Sequence, residues 1–509
     1  MIAYLGRRLS ALLVILFGSS FILYNLAAIS GDPTEGLRGS TDPKAHAQLL
    51  SLIRQLHLNV PPPARYFLWL KGVFGGFDFG NTRDGHPVST DLASAIPTTI
   101  RLVLFATIIA IVMGIAFGIV SALRQYSRFD YGMTFVAFLM YSLPIFWVAV
   151  LLKEYLAISF NNFLRQNTIA PAWIVIASIV SGMFWASLIS GDRARVWKIF
   201  GIAGGASALL LTVLSLTKWF ANPGLGPIVL FGLGIGIAYA VTFLSTGLAN
   251  KSALRSAQSM SVIALVFYYP NQYAFNHFGN IWTLLGLLAL TLLIGYFVAS
   301  YWAKIDRGPV IRTAMFTGGL IGLLTLLDKL MRTWQGYAAT DAINGRPIPT
   351  IGEVNSLLEP GNYWFSTLDT LLHLFLPTIA LALISFAGYV RYSRGTLLEV
   401  LNQDYIRTAR AKGLTERTVI MRHAFRNTLI PLTTIIVVDF AAIIGGAIIT
   451  ERVFGWRGMG TLFNKAISDF DLNLLMGVFF VTATLAVLAN LAADLIYSAL
   501  DPRIRVVGS

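Results

Sequence analysis

Few residues in this chain are placed to do covalent chemistry. The six histidines, His46, His57, His86, His277, His373 and His423, are dispersed. No HExxH pair sets two of them on one helix face, and no GxSxG elbow presents a serine nucleophile. There is no cysteine, which excludes a disulfide framework, a thiolate metal site and a cysteine nucleophile together. No GxxxxGK[ST] loop occurs, so nothing here cradles nucleotide phosphates in that way, and no catalytic residue is assigned. What remains is a few ionisable groups in costly surroundings. Asp439 and Asp494 lie inside apolar runs, where a carboxylate is expensive unless it faces protein or water. Asp439 has two readings, lining a conduit or hydrogen-bonding across a helix interface. Asp494 reads as structural. His373, near the outer end of an apolar run, either faces the pathway or packs at an interface.

The elements that must hold these groups are membrane helices. Hydrophobic residues make up 56% of the 509 and charged residues only 12%. Apolar runs recur along nearly the whole chain, which excludes a soluble enzyme with one anchor, a disordered chain and a fibrous repeat. The first run, residues 9–29, is longer than the apolar region of a secretory signal and is read as a retained helix. Further runs fall at 97–122, 131–158, 172–190, 199–217, 227–248, 282–302, 311–330, 367–390, 428–450 and 472–500. The stretch 257–269 is short for a bilayer, but counting it as a crossing keeps the later basic loops on the same side as Arg7 and Arg8.

The fold class is therefore all-α and polytopic, with twelve expected crossings and both termini cytoplasmic. Cytoplasmic segments then hold 22 of the 38 Lys+Arg but only 7 of the 24 Asp+Glu. That asymmetry accounts for the basic character by membrane insertion, so no nucleic-acid partner is expected. Residues 31–96 form a small extracytoplasmic domain, with a helical stretch at 44–58, a breaker at Pro61, Pro62 and Pro63, and an aromatic and glycine segment at 69–80.

One cytoplasmic loop, 391–427, is long and carries eight Lys+Arg. Leu397, Leu398, Leu401 and Tyr405 recur at helical spacing, as do Val419, Ile420 and His423, with Gly413 between the two stretches as a helix stop. Two short amphipathic helices joined at a glycine would make a knob for a groove on a soluble partner. The plainer alternative is a basic loop that only enforces topology.

Within this loop and elsewhere, several motifs stand in order: DYIRTARAKGL at 404–414, RHAFRN at 422–427 with Pro431, ITERVFGWRGMG at 449–460 and LDPRIR at 500–505. Before the second run come RYFLWL at 65–70, FDFGN at 77–81, HPV at 86–88 and IPTTI at 96–100. With these motifs the chain resembles the transmembrane permease subunit of ABC importers for dipeptides and oligopeptides, over roughly residues 1–165 and 365–505. The resemblance implies a type I importer core of six helices: the first at 1–30, the second and third within 97–165, and the last three within 367–505. About six inserted helices at 166–366 are left over, read as a lipid-facing scaffold.

It also implies that Asp404, Tyr405, Ala409, Arg410, Lys412 and Gly413 form the ATPase-coupling contact. Here Arg407, Thr408 and Ala409 stand where the general importer loop has Glu-Ala-Ala, a feature common in the peptide branch. Phe77, Asp78, Phe79 and Gly80 would belong to the surface that docks a binding protein, and Asp439 and His373 to the translocation path. The implied partners are a homologous second permease, two ATPase subunits, an extracytoplasmic peptide-binding protein, a peptide substrate and the bilayer of a bacterial cytoplasmic membrane. This chain would bind no cofactor, ATP and Mg residing on the partner subunits. Nickel chelates or glutathione carried by the same architecture are a second reading. An ion-coupled carrier is a third, for which inverted repeats and broken midplane helices are not evident.

Overall fold

The computed structural model describes residues 2–38, 43–189, 191–303 and 307–500, and all regular structure among them is helical. The terminal motif beyond Leu500 lies outside the described residues, as does the Asp494 side chain.

Helix α1 (Ile2–Ser30) is followed by the short α2 (Glu35–Arg38) and α3 (Pro43–Gln55). The triple proline does not only break structure: Pro62 opens α4 (Pro62–Gly76), because a first helical turn has no use for the missing N–H and favours the fixed φ. Tyr66, Trp69 and Val73 of α4 and Phe79 beyond it are buried with Tyr24 of α1, Val88 and Leu92, and with Leu474, Met476 and Val478. The segment between α1 and α5 thus shares its core with α1, α5 and α22.

Helix α5 (Val88–Leu123) starts well before Pro97, which sits inside it. The run expected as one straight helix at 131–158 is broken. Helix α6 (Arg128–Ser142) and the segment Ile145–Gln166, comprising α7 (Ile145–Leu152), a π-helical turn at Lys153–Ile158 and α8 (Ser159–Gln166), meet at 102°. The cause is Pro144, which forces Leu143 out of the helical region to φ −80°, ψ 130°.

Residues 171–338 fall into two parts. Helices α9 (Pro171–Leu188) and α10 (Arg193–Leu216) form a hairpin whose close approach needs Gly182 against Phe200 and Gly204 against the Ser178 carbonyl. Helices α11 (Gly226–Ser245), α12 (Lys251–Val266), α13 (Tyr268–His277), α14 (Ile281–Trp302) and α15 (Arg307–Ala338) make a bundle around Leu230, Met260, Tyr268, Ala299, Val310 and Ile321. Asp328 of α15, fully buried, ties the bundle's end. It accepts from the backbone N–H of Leu225 (2.7 Å) and Gly226 (3.1 Å), from Tyr268 Oη (2.6 Å) and from Arg332 Nε (3.1 Å).

The last part comprises α16 (Tyr363–Leu401), α17 (Asp404–Ala411), α18 (Glu416–Thr418), α19 (Phe425–Gly446), α20 (Ile448–Phe454), α21 (Met459–Ser468) and α22 (Leu472–Leu500). Helix α5 lies along α16, with Ala106, Ala110, Gly114 and Gly118 at every fourth position on the buried side. Small side chains there let the two backbones approach closely, as helices in lipid require.

Nine helices among the described residues are long and apolar enough to cross a membrane, and the bent pair supplies a tenth. The twelve expected crossings exceed this by two. The expected crossing at 257–269 corresponds to α12, only 16 residues long and continued by α13 after Phe267. The other, at 428–450, corresponds to the 22-residue α19, part of whose side chains lie outside the described residues.

Candidate functional site

Arg391 does not open a loop. Helix α16 runs on to Leu401, so Leu397, Leu398 and Leu401 belong to it. Chain direction changes at Asn402 and Gln403, α17 follows, and Gly413 turns the chain again at φ +75°. Thr415 then caps the next start by accepting from the N–H of Thr418. From Glu416 the backbone passes through a π-helical turn at Val419–Ala424 directly into α19. The expected pair of separate short helices is therefore one short helix, α17, strung between two long ones.

This arrangement splits the six coupling candidates by face. Ile406 and Ala409 of α17 are buried with Ala122 of α5, Leu397 of α16, and Val419 and Ala424. Ala409 thus anchors the helix to its own chain. Asp404, Tyr405, Arg410, Lys412 and Gly413 lie on the exposed side. Arg410 donates to Glu416 through Nη2 (2.7 Å) and Nε (3.2 Å), and this bond holds the Glu416 carboxyl below its ordinary range. Asn427 Nδ2 donates to Tyr405 Oη at 3.0 Å, closing the turn onto α19. Helix α11 reaches this turn: the Arg417 guanidinium lies 5.5 Å from the Phe243 ring centre.

Beneath α17 lies a group that the sequence reading missed. Asp130 of α6, 2% exposed, accepts from Arg394 Nε (2.7 Å) and Nη2 (2.9 Å), from Ser121 of α5 and from the Tyr126 N–H (3.0 Å). One carboxylate ties α5, α6 and α16, of which α5 and α16 pack with α17. Its spacing to Arg394, 264 residues along the chain, leaves no local signal.

The two path candidates are far apart. Asp439 of α19 lies beside Tyr389 of α16. His373 is on α16 too, 16 residues earlier, or about 24 Å along the axis at 1.5 Å per residue. His373 is buried, and its Nδ1 donates to the Asp369 carbonyl oxygen at 2.8 Å. The Asp369 carboxylate accepts from Tyr337 Oη (2.8 Å) and from the Asn355 N–H (2.8 Å). His373 and Asp439 do not form one site.

At the other end, ITERVFGWRGMG is a closed cap. Glu451, fully buried, accepts from Thr99 Oγ1 (2.6 Å) and the Thr461 N–H (2.9 Å), and Thr99 Oγ1 accepts from the Met459 N–H (2.8 Å). Glu353 accepts from Thr98 Oγ1 (3.1 Å) and the Arg457 N–H (2.7 Å). Of the docking candidates, Phe77 projects outward, 79% exposed. Asp78 accepts from the Gly80 N–H, Phe79 is buried under Trp69 and Phe480, and Gly80 turns at φ +81° against Asn473. Phe79 and Gly80 build the loop; Phe77 is what it presents.

The loop from Asn81 to Pro87 is clipped to the turn before α22 by the Arg83 N–H on Asp471 (2.6 Å) and to α21 by Lys465 Nζ on Asp84 (2.8 Å). The lysine lowers the Asp84 carboxyl below its ordinary range. A carboxyl depressed in the folded state stabilises above its unfolded pKa and loses that contribution as pH falls through the folded value. Asp84→Asn is therefore expected to loosen the loop at pH 7 by under about 1 kcal/mol, the pair being largely exposed. Only below the depressed folded value, under the ordinary carboxylate range, do the variant and the wild type converge. Amide hydrogen exchange across 81–87 at pH 7 and below that folded value checks this, and an equal difference at both would contradict it.

Residues 314–506 match the family described as binding-protein-dependent transport system inner membrane component. The chain is 26% identical over 506 residues to the oligopeptide transport system permease protein OppB of Mycobacterium tuberculosis (strain ATCC 25618 / H37Rv), covering 99% of this chain and 100% of the relative. It is 26% identical over 508 residues to the oligopeptide transport system permease protein AppB of Bacillus subtilis (strain 168), 99% of each being covered. To the dipeptide transport system permease protein DppB of Escherichia coli (strain K12) it is 43% identical over 147 residues, 29% of this chain and 42% of the relative. Over residues 314–506 the chain thus resembles the inner-membrane components of binding-protein-dependent transport systems, and its long apolar helices make it a multi-pass membrane protein.

Proposed function

We propose that this chain is one permease of an ATP-driven importer of dipeptides or oligopeptides. It pairs with a homologous permease to enclose the path, and it engages ATPase subunits through α17. The observation that carries this reading is the construction of the turn at 402–415. An eight-residue helix is anchored by Ile406 and Ala409 on the ends of α5 and α16 and on the turn into α19, while Asp404, Tyr405, Arg410 and Lys412 face outward with no covering element among the described residues. A rigidly seated, polar, exposed helix can pass a push from a soluble partner to the long helices on either side. The names of the relatives, with full-length coverage, support peptide as the cargo. In this reading α17 is cytoplasmic, the cap formed by Phe77 and its loop faces a peptide-binding protein, and ATP with Mg is held by the partner ATPases. Core helices lie within 1–165 and 367–505, with 166–366 inserted between them.

Affinity purification in mild detergent, mass spectrometry of the co-purifying chains and an ATPase assay with added peptide test this. A second permease, Walker-type ATPases and peptide-stimulated hydrolysis are expected. A single polypeptide with no nucleotide dependence would remove the reading. Within such a complex, Gly413→Val is expected to abolish most peptide uptake while the protein still inserts. An added Cβ meets no neighbour there, but φ +75° costs an L-residue about 1–2 kcal/mol, more for a β-branched one, so the turn and with it α17 must shift. Uptake at the wild-type rate would refute that role.

A further inference from the structure

The α9–α10 hairpin does not close against the core along its whole length. Where its connecting end passes the start of α6, it leaves a groove of about 1090 Å³. The groove is lined by Arg128 of α6, by Arg193, Trp197 and Phe200 of α10, and by Ile179 and Met183 of α9. Arg128 and Arg193 are exposed, and neither has an acidic partner within ion-pair distance among the described residues. Asp130, two residues from Arg128, is already engaged by Arg394 and Ser121. Two guanidinium groups without an acidic partner among the described residues therefore line a groove whose remaining walls are mostly aliphatic and aromatic.

That combination selects one chemistry. A free phosphate would use the arginines and leave the walls unpaired. A neutral lipid would use the walls and leave both charges uncompensated. A lipid with an anionic head satisfies both, since guanidinium groups bind phosphate in forked geometry and basic pockets between membrane helices suit anionic headgroups. We propose that this groove is a binding site for an anionic phospholipid, its phosphate on Arg128 and Arg193 and its acyl chains along Ile179, Met183 and Phe200. The lipid fills the seam between the insertion and the core, next to the Asp130–Arg394 bond beneath α17. This gives the α9–α10 hairpin a role that does not depend on which solute the permease carries.

Native mass spectrometry of the full chain released from micelles containing equal phosphatidylglycerol and phosphatidylcholine tests it. Phosphatidylglycerol is expected to be retained about thirtyfold over phosphatidylcholine, the factor that two membrane-surface cations supply. Arg128→Gln with Arg193→Gln should reduce that ratio to near one, while the paired lysine variant keeps most of it. Met183→Trp fills the groove without touching a charge and should lower phosphatidylglycerol retention several-fold. Millimolar inorganic phosphate should leave the lipid in place. Equal retention of the two lipids by the wild type would overturn the proposal. So would retention unaffected by the glutamine pair or by Met183→Trp, and displacement by inorganic phosphate would reduce the site to a simple anion site.

Discussion

Arg394→Ala is expected to damage this protein more than Asp130→Ala, although the two residues share the same pair of hydrogen bonds. The Asp130 side chain is 3% exposed and that of Arg394 is 29% exposed. Removing the arginine leaves a buried carboxylate with only Ser121 Oγ and the Tyr126 N–H as donors. Breaking a buried pair in this way costs about 3–5 kcal/mol. Removing the aspartate leaves a guanidinium that water still reaches, so the loss is smaller, about 2 kcal/mol. The double alanine variant should be less destabilised than the sum of the singles, because neither charge is then left without its partner. Thermal unfolding in detergent for the three variants measures this directly. Equal single losses that add would mean that the pair contributes nothing as a pair. The functional consequence follows from position: Asp130 joins α5, α6 and α16 at the level where α17 is seated. Both single variants are expected to lower coupled transport more than they lower the amount of inserted protein, with Arg394→Ala again the worse.

Much of this architecture is written in local sequence. Apolar runs mark the helices because a bilayer accepts no other continuous backbone, and the boundaries of the α9 and α14 runs agree with expectation to within a few residues. Gly413 is legible because a positive φ favours glycine, and Thr415 because its hydroxyl can cap. What the runs could not convey is how far helices continue past the membrane. Helix α16 extends to Leu401 since its polar turns still bury Ser393 and Leu397 against α5 and α17, a contact made by residues far away in the chain. The break at Pro144 is the opposite case, a local signal inside an apolar run that hydropathy overrides. The buried carboxylates were the least legible. Asp130, Asp369 and Glu451 sit at helix ends where sequence alone suggests solvent, and their partners Arg394, Tyr337 and Thr99 lie 264, 32 and 352 residues away. Only long-range packing makes these groups structural. Ala409 shows the same limit within the site: its motif marks it, but burial assigns it to the anchoring face.

The seam between α5 and α16 should be the least tolerant surface in the chain, and Gly118→Val is its sharpest probe. A Cβ built at Gly118 collides with Ser393 Oγ and comes within 2.7 Å of the Val390 carbonyl oxygen; at Gly114 it comes within 2.5 Å of Tyr389 Cβ. The serine can rotate, but the Val390 carbonyl is backbone of a continuous 39-residue helix and cannot move alone. Valine adds two methyl groups to that overlap, so the helices must separate, at a cost of about 3 kcal/mol or more. Gly232→Ala and Gly236→Ala on α11, where an added Cβ meets nothing, are the matched controls and should be near neutral. Ser393→Ala in the Gly118→Val background removes one of the two obstacles and should restore only part of the loss, since the carbonyl remains. Full rescue would mean that the hydroxyl alone sets the spacing, and no loss in Gly118→Val would mean that the seam is looser than the backbone separation requires. Because α16 continues from this seam to the turn that carries α17, separation of the two helices should also shift α17. Transport by any surviving Gly118→Val protein is therefore expected to fall further than its folded fraction.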